Sequence, residues 1–258
     1  MRTLLPLLLA LCLAAGARAQ FDFGKLSKGM DTLKSVGKVA KAAAKIGPAE
    51  ERVIGDSVAL ELVGRYGGLV RDEEIMRRVN LVGRALGRYS SRPELDWRFG
   101  VLDSATVNAF SAPDGYVFIT RGLYGQADTD DALAAILGHE IAHITKRHAL
   151  SIVERGEFLS GATSLAAQQS GRVRQLESQL RQFDLGVEQI LATLCAQGFD
   201  PLSEYDADQE GRRLAITTGY AAGGLRGVLR TLAQQGGDPR QIFSTHPPLQ
   251  ERIQRLSD

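Results

Sequence analysis

The stretch LGHEIAHITKRH, residues 137–148, carries three of the chain's four histidines, and a glutamate follows the first of them directly. It lies inside a longer run, ADTDDALAAILGHEIAHITKRHAL, that reads as a helix. Asp128 or Thr129 can cap its start, and Asp130 and Asp131 favour the positive end of the dipole. Leu133, Ile136, Leu137, Ile141 and Ile144 recur at helical spacing and form a broad apolar stripe for burial.

Residues four apart on a helix share a face, so His139 and His143 project together. Two neutral imidazoles converging over one turn can hold one Zn²⁺ ion. Glu140 lies about 100° further round the helix, beside such an ion rather than on it. There it can take a proton from the metal's water, whose pKa zinc lowers to about 7. This is the H-E-x-x-H arrangement. A regular helix carries His148 about 140° away from His143, so it reads as a structural or helix-end histidine facing away from the metal.

Two imidazoles leave a tetrahedral site incomplete, and a third protein ligand is needed. The segment SEYDADQEGRRLA, residues 203–215, offers one: Glu204 and Asp208 are four apart and share a helix face. Glu204 can serve as the third ligand, while Asp208 can accept from the free N–H of a ligand histidine and fix its tautomer. Asp206 and Glu210 stand near enough in sequence to compete, and spacing alone leaves the choice open.

Upstream, GPAEERVIGDSVALELVGRYG and residues 71–90 are helical in pattern. Pro48 suits a helix start, and Glu50 and Glu51 suit the dipole. DWRFGVLDS and TVNAFSAPDGYVFITRGLY alternate and are rich in β-branched and aromatic residues, so they read as strands, with Pro113, Asp114 and Gly115 as a turn. Further helices are expected over about 150–168, 172–196, 201–217, 222–235 and 247–256. Residues 157–200 read either as a lid over the cleft or as a helical hairpin packed on the core. The fold class is α+β and mainly helical, with a small β-sheet beside the histidine helix.

The composition, 44% hydrophobic and 24% charged, is that of a globular chain. The balance of 31 basic and 30 acidic residues argues against a nucleic-acid partner. Residues 1–19 read as a signal peptide: Arg2, then LLPLLLALCLAAG, then a small-residue cleavage site at Ala17–Ala19. The apolar run is shorter than the roughly 18–20 residues a bilayer requires. Beyond it only Cys195 remains, which permits no internal disulfide. Residues 20–47, with six lysines against one aspartate in 24–47, form a basic linker or an amphipathic helix suited to peripheral membrane contact. Residues 48–258 form the remaining domain.

HEIAH, EYDAD and THPPLQERI, in that order and with VNAFSAPDGYVFITRGLY before them, resemble the M48 family of zinc metallopeptidases. The resemblance runs from about Glu50 to the C-terminus. It implies a zincin-like (gluzincin) domain in which His139, His143 and Glu204 bind one zinc, Glu140 is the general base and Asp208 supports a ligand. It further implies an exported, periplasmic protein of a Gram-negative bacterium. Its substrates would be unfolded or misassembled envelope proteins, outer-membrane proteins among them.

The expected reaction is peptide-bond hydrolysis, with substrate added as a strand along Asn108, Ala109 and Phe110. His246, just before Pro247 and Pro248, is read as an oxyanion donor, a zinc ligand of a resting state, or a helix-capping loop residue. Arg252 is read either as the partner of a cleft carboxylate or as a surface arginine. The competing function class is a chaperone-like binding protein for outer-membrane proteins with little or no proteolysis.

Overall fold

A computed structural model describes residues 46–161, 186–234 and 249–256. The signal peptide and most of the basic segment fall outside these residues, as do His246, the prolines after it and residues 162–185 of the expected lid.

Two helices come first. Helix α1 (Pro48–Arg65) begins with proline at its first turn. Helix α2 (Glu73–Tyr89) is capped by Asp72, whose carboxylate accepts from the Glu74 and Ile75 amides. Strands β1 (Arg98–Leu102), β2 (Ala109–Ala112) and β3 (Tyr116–Thr120) follow. Their order is β1-β3-β2: β1 runs parallel to β3, and β2 and β3 form an antiparallel hairpin. The expected turn at Pro113–Gly115 closes that hairpin, with Asp114 at φ 62° and Gly115 at φ 93°.

Period-two alternation sends the strand side chains to opposite faces. Phe99, Val101, Val117 and Ile119 pack with α2 and with helix α4 (Asp130–Thr145), which follows a single helical turn, α3 (Arg121–Tyr124). Leu102, Phe110, Tyr116 and Phe118 pack on α1 and on helix α5 (His148–Gly161). Both faces are covered, so burial is nearly continuous along the strands rather than alternating.

The second carboxylate-bearing segment forms helix α6 (Pro201–Thr218). Asp200 caps it, Pro201 occupies its first turn, and Gly219 ends it in the left-handed region at φ 101°. Helix α7 (Gly224–Gln234) and helix α8 (Leu249–Arg255) pack against α4 through Ala135, Leu225, Leu229 and Ile253. The architecture is the expected mainly helical α+β domain with a small sheet.

Glu51 lies in the first turn of α1, as the dipole favours, and is a buried carboxylate, 1% exposed. Arg92 grips it through two nitrogens at 2.7 and 3.2 Å, and Arg147 reaches it at 2.5 Å. Arg92 ties α1 to the chain just beyond α2, and Arg147 ties it to the chain just beyond α4.

Candidate active site

Thr129 caps α4, accepting from the Ala132 amide, so the register of the helix is set from its first turn. The apolar stripe buries as expected and carries His139, Glu140 and His143 inside with it, each 2% exposed.

Helices α4 and α6 cross in backbone contact. A Cβ on Gly211 would stand 2.7 Å from the His139 amide nitrogen, and one on Gly138 would stand 3.0 Å from the Gly211 carbonyl oxygen. Only glycine at these two positions permits so close an approach. Glu204 lies two helical turns before Gly211, and the crossing swings it, wholly buried, over the two histidines.

His139 Nε2 and His143 Nε2 lie 3.1 Å apart. Glu204 reaches the first at 3.5 Å through one oxygen and the second at 3.6 Å through the other. A tetrahedral ion with legs of roughly 2.0–2.2 Å spaces its ligand atoms by about 3.3–3.6 Å. Two imidazole nitrogens and one carboxylate at these separations fit zinc in both chemistry and size. Among the described residues, this is the one cluster of His, Cys, Asp or Glu with such convergence. Of the rival carboxylates, Asp206 pairs with Lys146 at 3.0 Å and Glu210 with Arg213 at 2.6 Å. Both therefore face other partners.

Asp208 stands between His139 and the C-terminal helix. Its carboxylate is 2.9 Å from His139 Nδ1 and binds Arg252 through two contacts, at 2.9 and 2.6 Å. Arg252 is wholly buried, which decides between its two readings. Burial opposes the charge on Arg252, but the carboxylates of Asp208, Glu204 and Glu140 outweigh it and raise the guanidinium's pKa. Burial likewise penalises the Asp208 carboxylate. Arg252 and His139 more than offset that and hold it below the usual carboxylate range. For His139, desolvation alone would favour the neutral ring. Hydrogen bonds with Asp208 and Glu204 reverse that and raise its pKa to about 9. Two buried carboxylates thus call for a positive charge at this point, and a proton answers that call when no metal does.

His148 does not face away from the site. Helix α4 ends at Thr145, Arg147 takes the left-handed conformation at φ 59°, and α5 begins at His148. The helical extrapolation fails across this break, and the His148 ring turns back until its Nδ1 lies 2.9 Å from His143 Nδ1. The sequence marks the break with neither glycine nor proline. Phe199, which no motif singled out, stacks on His143 with centroids 4.3 Å apart and planes 18° apart.

Asn108, Ala109 and Phe110 lie at and in β2, one of the two outer strands of the sheet, and are 8%, 3% and 1% exposed. The Asn108 side chain accepts from the Ala109 amide at 3.0 Å. Among the described residues, no helix is long and apolar enough to cross a membrane.

The family model described as Peptidase family M48 matches residues 71–258. The chain is 26% identical over 231 residues to the beta-barrel assembly-enhancing protease of Escherichia coli, covering 86% of this chain and 46% of that protein. It is 26% identical over 233 residues to Metalloprotease YcaL of Escherichia coli, covering 89% of this chain and 88% of the relative. The Mitochondrial metalloendopeptidase OMA1 of Schizosaccharomyces pombe is 30% identical over 183 residues, covering 69% of this chain and 51% of that protein. The chain therefore spans about half the length of the first and third of these relatives and most of the second. With a match over most of its length and a buried His-His-Glu cluster on crossing helices, the chain belongs to peptidase family M48.

Proposed function

We propose that this protein is a zinc metalloendopeptidase that cleaves unfolded or misassembled proteins of the cell envelope, after export to the periplasm. The observation that carries this reading is the convergence of His139, His143 and Glu204 beside the buried Glu140. The relative named for β-barrel assembly supports outer-membrane proteins as the substrate class. The leader-like residues 1–19 support export.

In this reading His139 and His143 would hold the ion through Nε2 and Glu204 through its carboxylate. The chemistry zinc supplies when bound is Lewis acidity, which polarises a carbonyl and brings the pKa of water to about 7. Glu140 takes the proton from the attacking water and delivers it to the leaving amine. Asp208 accepts from His139 Nδ1–H, which keeps Nε2 free to ligate, and Arg252 keeps Asp208 ionised and in place. Substrate backbone pairs with β2 at Asn108–Phe110. That strand is buried along its length, so its outer edge must be uncovered before substrate pairs there. His246 donates to the developing oxyanion.

Glu140→Gln is the direct test. Its amide accepts no proton, so digestion of casein or an unfolded porin should fall roughly 10²–10⁴-fold, while zinc content stays at that of wild type. Undiminished digestion would remove Glu140 from the mechanism. Intact capture of the unfolded porin, with no cleavage by the zinc-loaded wild type, would make the protein a binding module instead. His246→Ala should lower kcat with little change in KM. A rise in activity would make His246 a resting-state ligand.

A further inference from the structure

The ring nitrogen of His139 that faces away from the cluster meets a carboxylate. The corresponding nitrogen of His143 meets another histidine, His148. His148 has no task in the proposed reaction.

Two ring nitrogens 2.9 Å apart share one hydrogen, so one donates and the other accepts. His143 directs Nε2 at His139 Nε2 and at Glu204. A neutral imidazole that ligates through Nε2 carries its hydrogen on Nδ1. His143 must then donate from Nδ1, and His148 must accept at Nδ1. The His148 hydrogen consequently lies on Nε2, and the Asp206 carboxylate stands 3.8 Å from that atom. That distance is too long for a hydrogen bond, yet it presents a negative charge to the N–H side of the ring. In the opposite assignment, His148 donates, and the His143 hydrogen moves to Nε2 and points into the ligand cluster.

We propose that His148 is the positioning residue that holds His143 in its ligating tautomer, as Asp208 does for His139. The surrounding chain serves that placement. Arg147 takes its left-handed conformation while donating to Glu51, to the Ile46 carbonyl at 2.7 Å and to Glu154 at 3.4 Å. Those bonds fix the break that delivers His148 to the far side of His143. Phe199 covers the face of the His143 ring and leaves its Nδ1 edge to His148. The acceptor is neutral, whereas the one on His139 is an anion. The two ligand imidazoles therefore differ in electron richness, and His139 is the stronger donor.

Since this inference rests on the metal reading of the site, its test measures metal rather than turnover. Zinc affinity of the full chain is read by competition with a chromophoric chelator for wild type, His148→Asn and His148→Leu. The Asn carbonyl oxygen can occupy the place of Nδ1 and accept, whereas Leu fills space without accepting. Leu should weaken zinc binding roughly 10–100-fold, while Asn should stay within about threefold of wild type. Equal affinity for all three proteins would overturn the proposal, as would an Asn loss as large as the Leu loss. Nitrogen–proton correlation spectra of the zinc-loaded wild type decide the matter even if a variant does not fold. Hydrogens on His143 Nδ1 and His148 Nε2 are expected, and one on His148 Nδ1 would refute the assignment. A wild type that takes up no zinc would sink the metal reading itself, a separate outcome.

Discussion

His139 and His143 present their Nε2 atoms to each other at 3.1 Å, yet they are seated in opposite surroundings. Behind His139 stand ions: the Asp208 carboxylate and, beyond it, the buried Arg252 of the C-terminal helix. Behind His143 stand rings: His148 at its edge and Phe199 on its face. The first side is ordered by charge and linked to α8, the second by stacking and linked to α5. The lesson is that helical i, i+4 spacing makes the imidazole pair, while unrelated parts of the chain decide how firmly each ring is held.

The contrast predicts unequal costs. Arg252→Met should be the most damaging change, because it leaves Asp208 buried without its guanidinium. A loss of about 3–5 kcal/mol is expected in denaturant unfolding of the metal-free protein. A cost no larger than that of removing Phe199 would erase the distinction between the two sides.

Proton linkage separates the sides by sign. His139, held up to about 9 from its ordinary 6.5, gives stability that is whole below pH 6.5 and is lost as pH rises through 9. The loss is on the order of 3 kcal/mol for a shift of that size. Asp208, held low, gives stability that is present above its ordinary 3.8 and lost as pH falls below it. His148 is pulled below 6.5 by burial, so its side weakens as pH falls under 6.5. Melting temperatures of metal-free wild type and His148→Asn, followed from pH 5 to 10, should share the alkaline decline and differ on the acid side. Saturating zinc should abolish the alkaline decline, since the ion replaces the proton on His139.

Gly211→Ala should cost about 1–3 kcal/mol by overpacking the crossing. It should also weaken zinc on both sides together, a result checked by calorimetric unfolding and chelator competition. The smallest effect belongs to Phe199→Leu, about 0.5–1.5 kcal/mol from the lost ring contact. No alkaline component should accompany it.

What could be read from the sequence was whatever a regular helix or strand repeats. The pairing of His139 with His143, the shared face of Glu204 and Asp208, the capped start of α4 and the hairpin turn at Pro113–Gly115 all follow from fixed periods and turn chemistry. The misreadings lie where a period stops without a marker. Arg147 adopts a conformation in which glycine would be expected, so helical extrapolation misplaces His148 beyond the end of α4. The first-turn place of Glu51 was legible, but its burial against Arg92 and Arg147, distant in sequence, was not. Phe199 and Arg252 reach the site by tertiary packing, for which single-chain spacing has no signal.

Because α4 and α6 touch main chain to main chain at Gly138 and Gly211, the span between them acts like a bolted joint. The intervening polypeptide does not gauge that distance. Extra loops or helices could be spliced in between Glu154 and Gly186, away from the Arg147–His148 turn and Phe199, with the ligand spacing unchanged. The same pocket can thus be reused with quite different intervening segments, so long as those two bare positions stay bare.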